Sequence, residues 1–157
     1  MNILLSAFKG VYNSSYQLIR ECENDKLLFT NSYDGIDRDI EEFDFDPYLG
    51  VIMFGIDPRL KDKIRIEPKA ALNGNVCKTA YDVGDFSDVF EIYGLQVTIA
   101  KRATSYLCNY AYYRVLEIMN GRALFIHIPP EQYLTEDLRT GLQNAIHNLM
   151  EAAHEKV

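Results

Sequence analysis

The sequence is short of cysteine, of positive charge and of long apolar runs, and each shortage removes a class of protein. Cys22, Cys77 and Cys108 are odd in number and widely spaced, unlike the dense framework of a small secreted disulfide domain, so a reducing, cytoplasmic setting is expected. With 16 Lys and Arg against 23 Asp and Glu, the net charge is −7, which leaves no electrostatic footprint for phosphate backbones or anionic lipid. Neither nucleic acid nor a membrane is an expected partner. No apolar stretch approaches the roughly 20 residues that span a bilayer. Residues 1–8 lack the basic segment that opens a signal peptide.

Metal spacing is missing too. Cys77 has no histidine or second cysteine at zinc-ligand distance, and His147 and His154 stand on one predicted helix with no third ligand in reach. The acidic segment from Asp34 to Asp46 lacks the alternating ligands, central glycine and closing glutamate of a calcium loop, and reads as a short solvated helix and loop. No glycine-rich or serine-threonine phosphate cradle follows the first strand, which argues against a flavin domain. No metal or cofactor is expected. The basic run Lys61, Lys63, Arg65 and Lys69 alternates with Ile64 and Ile66, the pattern of a strand with one solvated face.

What is present is an alternation of strand and helix signals. Short apolar runs at 2–7, 26–30, 50–55, 95–100 and 123–128 predict strands, several buried on both faces, and Ile64 to Glu67 predicts one with an exposed face. Asn73-Gly74-Asn75 is a hairpin signal. Helical faces follow Asn13-Ser14-Ser15 (with Cys22 in the core), Ser87 or Asp85, the region near Cys108, and Thr135 with Glu136 and Asp137 in its first turn. The expected architecture is α/β: a single domain over 1–157, a three-layer α/β/α sandwich with a mostly parallel central sheet.

In such sheets ligand sites gather at the carboxyl ends of strands. Cys108 falls at a strand-to-helix junction and His127 closes a strand cut off by Pro129-Pro130, so both map to that rim. A helix N-terminus favours thiolate, its free N–H groups suit an oxyanion, and a histidine can take the thiol proton. On residue type alone the pair reads as a small buried thiol and a core histidine, and the shared place at the sheet rim makes the catalytic reading its equal.

Ala103-Thr104-Ser105-Tyr106-Leu107-Cys108-Asn109 resembles the nucleophile motif A-G-T-F-V-C-N of the pyroglutamyl peptidase (pyrrolidone carboxyl peptidase) family, and Phe125-Ile126-His127-Ile128-Pro129 resembles its F-I-H-V-P. The resemblance implies Cys108 as nucleophile and His127 as general base. It sets Asp62, opening Asp62-Lys63-Ile64-Arg65-Ile66-Glu67, against the family's catalytic glutamate, with Glu67 and Asp57 as alternative acids. It implies a substrate site built from Phe8, Asn13, Tyr106 and Leu107, although the N-terminal loop is shortened and Gly55-Ile56 replaces a glycine-glutamine pair. The implied activity is cysteine-dependent release of an N-terminal pyroglutamyl or similar small residue from a peptide or N-acyl amide, by acyl transfer and without cofactor. A homo-oligomer is implied as well. The competing expectation is a non-catalytic interaction module that kept the motif residues and lost the pocket.

Overall fold

The computed structural model describes residues 2–104 and 106–155, with side chains through 151. Its sheet comprises β1 (Asn2–Phe8), β2 (Lys26–Phe29), β3 (Tyr48–Ile56), β4 (Lys63–Glu67), β7 (Gln96–Ile99) and β8 (Ala123–Ile128), in the order β2-β1-β3-β8-β4-β7. Neighbours are parallel except at β4 and β8, which run antiparallel. A parallel return needs a crossover of about a dozen residues or more. The link 57–62 is too short for one, so the chain passes over the end of β8 and comes back beside it.

The apolar runs are continuous because each strand feeds two cores. In β3, Ile52 and Phe54 enter one core, while Val51 and Met53 enter the other. The first core is covered by α1 (Ser14–Ile19), α3 (Val83–Ile92) and α5 (Glu136–Glu155), through Leu18, Phe86, Phe90 and Leu142. The second is covered by α2 (Tyr33–Glu42) and α4 (Tyr106–Ile118), through Ile36, Ile40, Tyr112 and Leu116. This is the expected three-layer sandwich. Large buried side chains such as Phe54 and Phe125 each contribute about 1.5–3 kcal/mol by leaving water.

Side-chain caps decide where the helices start. Asn13 accepts from the Ser15 amide at 3.0 Å to open α1, which stops at Ile19, so Cys22 lies beyond the helix and packs half-buried on the first core. Helix α3 begins earlier than the sequence suggests. Asp82, rather than Asp85 or Ser87, accepts from the Gly84 and Asp85 amides at 2.9 and 3.2 Å, and an aspartate three residues before the first of those candidates pre-empts both. Thr135 caps α5 as expected, accepting from the Leu138 amide at 3.2 Å.

The predicted turn at Asn73-Gly74 joins β5 (Lys69–Leu72) to β6 (Asn75–Lys78), with φ of 51° and 80° at its central residues. Two left-handed residues match the twist of a two-residue hairpin. This ribbon stands apart from the main sheet and packs on α4. His147 is exposed on α5, and the side chain of His154 lies outside the described residues.

A Cβ at Gly50 would sit 2.0 Å from the Tyr81 hydroxyl and 3.1 Å from the Arg122 carbonyl oxygen. That hydroxyl is buried without a hydrogen-bond partner among the described residues. Gly50→Ala is expected to cost roughly 1–3 kcal/mol in urea unfolding, as overpacked cores do. Tyr81→Phe deletes an unpaired polar atom and is expected to leave stability unchanged or raise it, and in that background the cost of Gly50→Ala should shrink.

Candidate active site

His127 sits near the end of β8, opposite Gly55 of β3 on one side and Arg65 of β4 on the other. Residues directly opposite in an antiparallel pair point to the same face, and so do residues two apart on one strand. Arg65, Glu67, Phe125 and His127 therefore project together toward α4. The His127 ring lies 4.8 Å from that of Phe125 and is 3% exposed.

The carboxylate on His127 is Glu67. Its Oε1 lies 2.8 Å from His127 Nδ1 and also accepts from Arg65 Nε at 2.8 Å, while Glu67 as a whole is 1% exposed. An oxygen already accepting from a guanidinium is an acceptor toward the imidazole too, so Nδ1–H donates to it and Nε2 is the ring nitrogen left for other partners. The chain of charges continues outward. Arg65 Nη1 lies 2.8 Å from Asp57 Oδ2, and the Arg59 side chain and backbone donate to Asp57 at 2.9–3.1 Å. Burial opposes ionisation of Asp57, but the hydrogen bonds from Arg59 and Arg65 outweigh it and hold the carboxyl well below the usual carboxylate range.

Cys108 lies in the first turn of α4, above the sheet at Gly55. A Cβ on Gly55 would fall 2.9 Å from Cys108 Sγ and 2.6 Å from Phe125 Cζ, so the thiol reaches this position only because residue 55 has no side chain. Asn109 fixes the helix from the next position: it donates to the Ala71 carbonyl oxygen at 2.7 Å and accepts from the Ala71 amide at 3.0 Å, tying α4 to the β5–β6 hairpin. Tyr106 opens the helix with φ of 69°, a left-handed conformation that tyrosine adopts only when its surroundings impose it. Ser105 of the motif lies outside the described residues. Burial, then the negative charges of Glu67 and Asp57, push the Cys108 thiol up to about 12, so it rests protonated.

Cys108 and His127 line one cleft of about 780 Å³ with Tyr106 and Leu107, as expected from the sequence. The other expected residues lie elsewhere. Phe8 is buried in the second core, its ring 5.8 Å from that of Phe29, and Asn13 is occupied in capping α1. Asp62 is exposed and lines a separate cleft of about 560 Å³ with Lys61 and Tyr133. Asp62 stands three positions before Arg65, the wrong parity for the face shared with His127, whereas Glu67 stands two after it. Arg65, expected on a solvated face, is instead the cation between two carboxylates. The Arg-x-Glu spacing opposite a histidine strand was the signal for it, visible only once β4 is known to pair with β8. Among the described residues no group of three or more His, Cys, Asp or Glu side chains is placed to hold a metal ion.

The class so defined is an α/β protein with a thiol and a carboxylate-backed imidazole on one cleft at the strand ends. No protein-family model matches the chain. A segment of it is 34% identical over 59 residues to human pyroglutamyl-peptidase 1, covering 36% of this chain and 28% of that protein's length. A mutant pyrrolidone carboxyl peptidase from the hyperthermophile Pyrococcus furiosus superposes with a TM-score of 0.78 at 15% identity, over 100% of both chains. Pyroglutamyl peptidase I of Bacillus amyloliquefaciens gives 0.76 at 19% identity, over 98% of this chain and 97% of its own. The pyrrolidone carboxyl peptidase of Thermococcus litoralis gives 0.75 at 18%, over 99% and 96%. The chain has the pyrrolidone carboxyl peptidase fold.

Asp57→Asn is expected to cost about 2 kcal/mol at pH 7, the size of a charge-assisted hydrogen bond. The carboxyl's depressed folded pKa stabilises the fold above the unfolded value near 3.9 and ceases to do so as pH falls below it, so the gap between wild type and variant in urea midpoint should narrow below about pH 4. Alkylation of Cys108 by iodoacetamide should climb with pH well past the range of an exposed thiol near 8.5. Glu67→Gln, which removes a repelling carboxylate, should speed it at any given pH.

Proposed function

We propose that the chain is a cysteine peptidase that releases an N-terminal pyroglutamyl or similarly small residue by acyl transfer. The observation that carries this reading is the buried 2.8 Å contact between His127 Nδ1 and Glu67, on the cleft that also holds Cys108. The similarity to pyroglutamyl-peptidase 1 and to solved pyrrolidone carboxyl peptidases supports the choice of acyl group.

In this mechanism His127 Nε2 takes the proton of Cys108 as Sγ attacks the carbonyl carbon of the scissile amide. The pair passes from neutral thiol and imidazole to an adduct beside an imidazolium, which Glu67 stabilises across Nδ1. The first-turn N–H groups of α4 lack intrahelical partners and face the developing oxyanion. Collapse of the tetrahedral adduct breaks the C–N bond, and His127 returns its proton to the leaving amine. Water then attacks the thioester with His127 as base, releasing the acid and restoring the thiol. Glu67 fills the orienting role that the family motif assigns to the position of Asp62. The resting thiol, held protonated by burial and by the nearby carboxylates, spends little time as an exposed thiolate and acquires nucleophilicity chiefly when a carbonyl arrives.

Activity on pyroglutamyl-7-amido-4-methylcoumarin tests the assignment. Cys108→Ala and His127→Ala are expected to lower kcat/KM at least about a thousandfold, and Glu67→Gln between about tenfold and ten-thousandfold, as triad members do. Asp62→Asn should stay within about twofold of wild type. An inactive Asp62→Asn or a fully active Glu67→Gln would reverse the assignment of the acid.

A further inference from the structure

The lining of the Cys108 cleft has a charge the proposed reaction does not use. Arg59, Arg65, Lys101 and Arg102 all border it, and the one carboxylate among the lining residues is Asp57. Asp57 is shared between Arg59 and Arg65, and Glu67 lies buried behind His127. Lys101 and Arg102, exposed on the loop between β7 and α4, have no ionic partner among the described residues. A cationic rim thus surrounds this cleft in a chain whose net charge is −7. Cleft walls of low dielectric focus such a field onto whatever enters.

The rest of the lining limits where a negative charge on the substrate can lie. Ile56, Ala100, Ala103 and Leu107 make an apolar surface beside the thiol, suited to a small uncharged ring. A pyroglutamyl group is a neutral lactam with no carboxylate of its own. Its anionic partner for the rim must therefore come from the far side of the scissile bond.

We propose that the cleft selects acidic substrates, the residue released after the scissile bond carrying a carboxylate that Lys101 and Arg102 attract. The proposal rests on the peptidase reading for which side of the bond bears the charge, and on the lining for its sign. Arg59 and Arg65 are largely neutralised by Asp57 and Glu67, so the loop cations are the ones free to meet a substrate.

The test compares pyroglutamyl-glutamate amide, the isosteric pyroglutamyl-glutamine amide and pyroglutamyl-lysine amide. At low ionic strength kcat/KM for the glutamate peptide should exceed that for the glutamine peptide roughly tenfold, with the lysine peptide lowest. The gap should close as salt is raised to about 0.5 M. In the double variant Lys101→Glu, Arg102→Glu the order should reverse. Calorimetric binding of the same peptides to the Cys108→Ala protein separates this from the peptidase reading. Equal cleavage of the glutamate and glutamine peptides overturns the acidic preference and leaves the peptidase intact. No cleavage of any peptide, with the glutamate peptide still bound most tightly, overturns the peptidase and keeps the preference. Equal binding of all three by the Cys108→Ala protein overturns the preference.

Discussion

The antiparallel return of β4 beside β8 is the constraint on which the site depends. The link 57–62 cannot make a crossover, so β4 runs back along the edge of β8 and sets Arg65 opposite His127 and Glu67 opposite Phe125. A buried carboxylate is tolerated only when its charge is met. Glu67 is met twice, by the imidazole and by the guanidinium, and Arg65 carries the compensation on to Asp57. Breaking such a buried pair from one side typically costs about 3–5 kcal/mol, because the remaining charge is stranded. The same groups that orient the imidazole thus hold the sheet edge in register.

The thiol is placed by a different device, the absence of a side chain. Gly55 lets α4 settle close enough for Cys108 to lie over the sheet beside the strand that carries His127. Asn109 then locks the helix to the hairpin through both backbone groups of Ala71. A cysteine held this way is desolvated and stays protonated, unlike an exposed thiolate poised for any electrophile. In the proposed reaction, reactivity is coupled to the arrival of a substrate because the proton would pass to His127 as the new bond forms.

Within the shared fold the carboxylate beside His127 is not the one that the motif resemblance implied. The segment that resembles the family's glutamate motif opens with Asp62, yet Asp62 faces a separate cleft and Glu67 holds the imidazole. The strand supplies a carboxylate at the parity that faces His127, so the imidazole is met from within β4 and not from the segment before it. Ile56 follows Gly55 in the cleft lining, Phe8 is buried in the second core, and the cleft itself combines an apolar wall with a cationic rim.

Sequence alone determined the elements and their layers. Period-two and continuous apolar patterns marked the strands, Asn73-Gly74 marked the hairpin, and Thr135 marked the start of α5, because these depend on backbone preferences within a few residues. It also singled out Cys108 and His127, whose positions at strand and helix ends follow from those elements. The tertiary structure decided the acid, the role of Arg65 and the shape of the cleft. Each of those rests on which strand lies beside β8 and in what register, and a shift of one residue in that pairing would turn every side chain of β4 to the other face. A sequence records the side chains of 62–67 but not their neighbour across the sheet, and that neighbour is what separates Glu67 from Asp62.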